Sequence, residues 1–399
     1  MLENLFIIFL LSGTFKDYFL FYHLKLPIDF TLLSVVVSLI YLSVRIILRN
    51  KLKVNLSLRN RLVIISFLLF WLWMIISLSY SPSPKYAYTK TFLFSTNFVT
   101  IIIVAFGNLD VKKVIKYFIY YTYLFLILYF PVLIATQMRI IPYSSLSSLG
   151  GQYLSLGLNL GIIVLIMKFS RLRIFSTNTD NFIFYFSFIL LLLIGARGPL
   201  LFTVFVLILY YLSRLAKVRF KFSLKKIIFG SFSITSLVAL LIIYHDKIKA
   251  LFDRSLMRFN LILATNKGSS INARIEHLKK SFHLLQDPIV MIKGIGIGSY
   301  MFVTQHIDTR GYPHNILLEV WVELGIIGLI LFLMTFFSLI SYGRISIYIS
   351  KLLLLYLALN LLTTSSLVDI RLTVGFFMLF FEDQSSLPYS DDKNLTLTA

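Results

Sequence analysis

Residues 311–325 read Gly-Tyr-Pro-His-Asn-Ile-Leu-Leu-Glu-Val-Trp-Val-Glu-Leu-Gly. They set a histidine, an asparagine and two carboxylates at the mouth of an apolar run that ends near Met334 and Thr335. Ionisable groups at a membrane boundary are costly and tend to be functional. Pro313 disfavours a helical Tyr312, and Asn315 is a good N-cap for a helix beginning at Ile316. His314 is therefore expected just outside that helix, free to face a cavity. An imidazole titrates near neutrality and can accept a proton from a hydroxyl; the plainer alternative is a solvated interfacial histidine. Glu319 and Glu323 are four residues apart and share a helix face below the cap. Carboxylates at that depth need basic partners, and they either orient His314 or pin the helix to a neighbour.

Two arginines come next. Gly195-Ala196-Arg197-Gly198-Pro199 interrupts apolar sequence on both sides, which predicts a tight turn between two spans. Arg197 would present a permanently charged, planar fork suited to phosphate oxygens, unless it merely snorkels to the interface. Arg274 lies on the polar side of an amphipathic stretch, residues 272–286, where Ile275, Leu278, Phe282 and Leu285 form one face and His277 and Lys280 lie with Arg274. Asp287-Pro288 is expected to stop that helix. Gly294, Gly296 and Gly298 have no βαβ surroundings, so they read as a turn rather than a nucleotide loop. His306 and His314 lack a third ligand at a recognisable spacing, so no metal and no cofactor is expected. Tyr80-Ser81-Pro82-Ser83-Pro84-Lys85-Tyr86, with Lys90, reads as a short outward loop whose rings could stack on sugars.

The elements that must hold these groups are membrane helices. Of 399 residues 58% are hydrophobic and only 14% charged, against about a quarter charged in soluble domains. Continuous apolar runs of bilayer length predict an all-α, polytopic transmembrane bundle with one large external loop that contains amphipathic helices. About twelve spans are expected, near 4–22, 28–47, 61–79, 91–107, 114–135, 151–168, 181–195, 198–213, 227–244, 315–341, 350–366 and 368–381. That divides the chain into helices 1–9 (1–244), an external loop (245–314), helices 10–12 (315–382) and a disordered cytoplasmic tail (383–399). The net charge of +21 is concentrated in short loops, for example Arg49, Lys51, Lys53, Arg59 and Arg61, or Arg214, Lys217, Arg219 and Lys221. This is a positive-inside pattern rather than a nucleic-acid footprint. There is no cysteine, which removes disulfides, thiol catalysis and thiolate metal sites. The start at Met1-Leu2-Glu3-Asn4 lacks the basic region of a cleavable signal, so the first helix is expected to be retained.

In order along the chain, Arg197-Gly198, Arg274, the Gly294/Gly296/Gly298 run, His314-Asn315, Glu319, Glu323, Gly325 and Gly328 resemble the O-antigen ligase and polymerase superfamily of bacterial envelope glycosyltransferases. The resemblance spans about 130 residues (195–328) beyond general hydropathy. Ala196 stands where members often have Ser, and Leu278 where they often have Trp. It implies an enzyme of the bacterial cytoplasmic (inner) membrane with its active site on the external, periplasmic side. The donor would be an undecaprenyl-diphosphate-linked glycan, with membrane lipid around its tail. Arg197 and Arg274 would clamp the diphosphate, His314 would be the acceptor base, and Asn315, Glu319, Glu323 and Lys90 would support the site or contact substrate. The acceptor would be a lipid-linked repeat unit for a polymerase or lipid A-core for a ligase, and a chain-length regulator would be a natural partner. Reaction would be metal-independent and inverting, and the outward site argues against nucleotide sugars. The compact loop and the Tyr-, Phe-, Lys- and Ile-rich composition favour the polymerase. A lipid-linked oligosaccharide flippase is the rival from another class, but it would scatter charges through the membrane depth.

Overall fold

A computed structural model describes residues 1–22, 28–48, 58–137, 152–169, 173–215, 269–341, 351–364 and 366–380. These residues are all helix and connection, with no strand among them. In chain order the helices are α1 (Leu2–Leu10), α2 (Ser12–Phe21), α3 (Phe30–Leu48), α4 (Leu58–Leu78), α5 (Tyr86–Gly107), α6 (Val111–Gln137), α7 (Gln152–Phe169), α8 (Thr177–Ile194), α9 (Arg197–Leu215), α10 (Ser269–Leu284), α11 (Pro288–Lys293), α12 (Tyr300–Gln305), α13 (Ile316–Ser341), α14 (Lys351–Thr364) and α15 (Arg371–Phe380). Seven of them, α3 to α8 and α13, are long and apolar enough to cross a membrane. Helices α9, α14 and α15 are shorter apolar segments.

Hydropathy locates most of these elements because every backbone polar group in lipid must be satisfied within its own helix. The expected first span is divided at Leu11, whose ψ of 8° leaves the helical region, so α1 and α2 are separate short helices. The expected span at 227–244, most of the basic loops, the first part of the large loop and the tail at 383–399 lie outside the described residues.

Packing follows the apolar surfaces. Helix α4 lies along both α5 and α13, with Phe67 stacked on Phe94 at 5.0 Å and Phe70 against Phe332 at 5.6 Å. Helix α7 packs on α8 and α9, and α9 on α14. Away from these contacts the long helices leave apolar side chains uncovered, such as Ile40 and Val44 of α3 and Phe182 and Ile189 of α8. A soluble protein would bury such surface; here it suits acyl chains.

The two ends of the bundle differ. At one end Asp110 N donates to Glu3 and Tyr121 to Asn4, and the charged groups nearby include Lys112, Lys113 and Lys116. At the other end four connections interlock. Ser81 bonds Ile297 O and Ser299, Ser83 donates to Asp308 at 2.5 Å, Arg310 pairs with Asp369 at 2.6 Å, and Ser366 donates to Glu319. That second end gathers the residues singled out by the sequence.

Candidate active site

The entry to α13 forms as its sequence dictates. Asn315 Oδ1 accepts from Leu318 N at 3.0 Å and its carbonyl accepts from Glu319 N, which caps the helix at Ile316. Before the cap, His314 adopts a left-handed φ of 59°, a conformation rare outside glycine but more accessible to histidine and asparagine. That turn aims the imidazole back toward α10 rather than along α13. Its ring lies 4.6 Å from the Tyr312 ring and 5.9 Å, edge-on, from the His277 ring. The ionisable neighbours that act on it are Arg274 and His277, both from α10.

Helix α10 is therefore the second wall. Arg274 and His277 are three residues apart and share a face. Tyr300, fully buried at the start of α12, holds that face: its hydroxyl donates to His277 O at 3.0 Å and lies 3.0 Å from His277 Nδ1. Burial pushes the His314 imidazole down to about 4, and the Arg274 guanidinium and His277 add to it. His277 is also lowered, by burial first and then by Lys280. Both rings are thus neutral at physiological pH. Burial lifts Tyr312 to about 12, helped by Asp369, so it stays protonated and able to donate.

Behind this surface α13 is broken. Gly325 has φ 68° and ψ −174°, so the helix runs over 316–324 and resumes at 326. A break leaves carbonyls of the preceding turn without helical donors. The glycine run supplies them: Ile295 N donates to Val322 O and Gly296 N to Glu323 O, each at 2.9 Å, while Trp73 Nε1 donates to Leu324 O. Gly294 and Gly325 allow the approach, since a Cβ on Gly294 would sit 2.3 Å from Glu323 O and one on Gly325 2.1 Å from Ile292 O. Gly328 is a packing position, against Trp73. Asp287-Pro288 ends α10 as expected but also starts α11, with Asp287 accepting from Ile289 N.

The two carboxylates find their cation in Lys90. Its ammonium is 2.5 Å from Glu319 Oε1 and 2.6 Å from Glu323 Oε2, and all three side chains are fully buried. Lys90 is thus part of α5, not of the outward loop in which its sequence placed it; α5 begins at Tyr86, where Asp308 accepts from Lys85 N and Tyr86 N. Glu319 also accepts from Ser366 Oγ and Leu367 N, and Glu323 from Gly298 N. The triad ties α5, α13, the glycine run and the α14–α15 connection together beneath His314. None of the three residues is exposed, so they hold the site rather than line it.

Arg197 is carried by another part of the chain, the turn between α8 and α9. Gly195 closes α8 in a left-handed conformation and Arg197 is the first residue of α9, so the expected two-span turn forms. Ala196 and Pro199 press on α7 at Gly157, where a Cβ would meet Ala196 Cβ at 2.3 Å. Among the described residues no three His, Asp or Glu groups converge as metal ligands.

Sequence reasoning did not single out His277, Tyr300, or the Arg310–Asp369 pair that fastens residues 306–313 to the α14–α15 connection. For His277 the signal was present, since it follows Arg274 by one helical turn. The others depend on contacts between distant segments.

Residues 182–333 match the family model described as O-antigen ligase. The matched segment runs from α8 into α13, and so contains Arg197, Arg274, the glycine run, His314, Asn315, Glu319 and Glu323; Lys90 lies before it. No curated protein matches the chain.

Proposed function

We propose that this protein, a member of the O-antigen ligase and polymerase superfamily, is a polytopic membrane glycosyltransferase that polymerises a surface polysaccharide. The donor is a glycan on undecaprenyl diphosphate, and the acceptor is a sugar hydroxyl of another lipid-linked repeat unit. The observation that carries this reading is the left-handed turn at His314, which sets its imidazole 5.9 Å from the His277 ring on the helix that bears Arg274.

In this reaction the acceptor oxygen bonds to the anomeric carbon as the bond from that carbon to the diphosphate oxygen breaks. The acceptor proton goes to His314, and the electron pair leaves with the lipid diphosphate. A single displacement inverts the anomeric centre. Arg274 and, by its motif, Arg197 neutralise the charge that develops on the departing diphosphate. The depressed His314 has a use here. Burial and, after it, Arg274 keep it unprotonated in the free protein, and a diphosphate seated on Arg274 would cancel that charge and raise its basicity. The base would strengthen when the donor is bound.

Surface glycolipids from the native host test the reading, comparing the deletion strain with strains carrying the wild-type gene or Arg197→Ala. A core bearing one repeat unit without a ladder is the outcome expected. Bare core, with glycan accumulating on its lipid carrier, would make the protein a ligase. An unchanged ladder in the deletion strain would refute polymerisation, and full rescue by Arg197→Ala would remove that arginine from the clamp.

A further inference from the structure

The apolar residues of α10 and α11 point away from the protein. On α10 the polar His277 and Ser281 face inward to Tyr300, while Ile275, Leu278 and Phe282 are exposed, Phe282 to 53%. On α11 no residue is buried, and Ile289, Met291 and Ile292 are 60%, 42% and 50% exposed. Six uncovered apolar side chains on two consecutive short helices form a ledge that water would not tolerate cheaply.

The depth of α11 decides what covers it. Ile292 O touches α13 at Gly325, nine residues past the first residue of that helix, or roughly 13 Å along its axis. On the other flank Trp73 reaches the same break from a position five residues before the end of α4, roughly 7 Å inside it. Helix α11 therefore packs alongside α13 at the level of that break, a level α4 also reaches through Trp73. Ile76 of α4 and Ile327 and Ile330 of α13 are likewise uncovered. Helix α11 carries no acidic residue, and its one cation, Lys293, sits over the Tyr80 ring at 4.9 Å, the arrangement of an interfacial anchor. Trp321 adds a second, its Nε1 donating to Met291 O.

We infer that α11 and the outer face of α10 are seated in the lipid of the outer leaflet, at the boundary between headgroups and acyl chains. The two helices then form one wall with two faces: acyl chains on one, Arg274, His277 and His314 on the other. A lipid-borne ligand would reach those residues by moving laterally in the leaflet. This rests on the membrane reading and is independent of glycan transfer.

The chain has no cysteine, so single-cysteine labelling has no background. Ile289→Cys, Ile292→Cys and, as a control on the exposed polar flank of α10, His283→Cys are labelled with an environment-sensitive fluorophore in the full-length protein in lipid nanodiscs. Quenching by phospholipid spin-labelled near the headgroup should be at least about threefold stronger at 289 and 292 than at 283, with aqueous iodide giving the reverse order. Strong iodide quenching at 289 and 292 without lipid quenching would overturn the inference. So would shielding from both quenchers in native membrane vesicles, which would mean that a protein covers the ledge.

Discussion

Lys90→Met removes the single cation from a fully buried cluster that holds two carboxylates. Glu319 keeps Ser366 Oγ at 2.7 Å and Leu367 N at 3.2 Å, so it stays hydrogen-bonded. Glu323 keeps only Gly298 N at 2.8 Å for Oε2, and its Oε1 has no partner among the described residues. Breaking a buried ion pair by deleting one partner costs about 3–5 kcal/mol, because the remaining charge is stranded. Lys90→Met should therefore destabilise the protein by that amount. Adding Glu319→Gln and Glu323→Gln removes the stranded charges and should restore at least half of the loss. Denaturation with SDS in mixed micelles measures this, followed by fluorescence of the three tryptophans, Trp71, Trp73 and Trp321. Two of them bond at the α13 break or at α11. A Lys90→Met protein within about 1 kcal/mol of wild type, or a triple variant no more stable than Lys90→Met, would refute the argument that the triad fastens these elements.

Four further outcomes are expected. His314 is depressed to about 4, so the acid limb of kcat/KM should fall near pH 4 rather than near the ordinary histidine value, and Arg274→Met should move it upward; a wild-type limb at about 6.5 would contradict this. The same depression means the unfolded chain binds the proton first, so stability should fall as pH drops from about 6.5 to about 4, and His314→Gln should flatten that slope in pH-dependent SDS denaturation. Gly325→Ala puts a side chain at a positive φ and drives its Cβ into Ile292 O, so it should cost at least about 1–3 kcal/mol by the same assay; no change would mean the break can close. Tyr300→Phe removes the hydroxyl that fixes α10 and should cost about 1 kcal/mol while raising KM more than it lowers kcat, in transfer assays with varied donor.

The long helices were legible because a bilayer demands runs of apolar residues, and the cap at Asn315 because its chemistry is local. The turn at Gly195–Pro199 was legible for the same reason. Contacts that join distant segments were not. Nothing near Glu323 in the chain names Lys90, 233 positions away, as its partner, and the polar run from Ser79 made Lys90 look like loop. Gly325 could be read only as a small residue suited to close packing, since glycine is common in membrane helices; its φ shows only in the fold. Periodicity found the apolar stripe of α10 but could not tell whether protein or lipid would meet it. His314 and Arg274 were legible as separate motifs, and their meeting needed the left-handed turn before Asn315.

The most direct test uses the purified protein in lipid nanodiscs with a lipid-diphosphate-linked repeat unit as donor and acceptor. Transfer rates are compared for wild type, His314→Ala, Arg274→Ala and, as a control away from the site, His283→Ala. Losing the base should lower transfer by about a hundredfold or more, Arg274→Ala should fall comparably, and His283→Ala should match wild type. A folded His314→Ala protein that transfers at close to the wild-type rate would contradict the account at its centre.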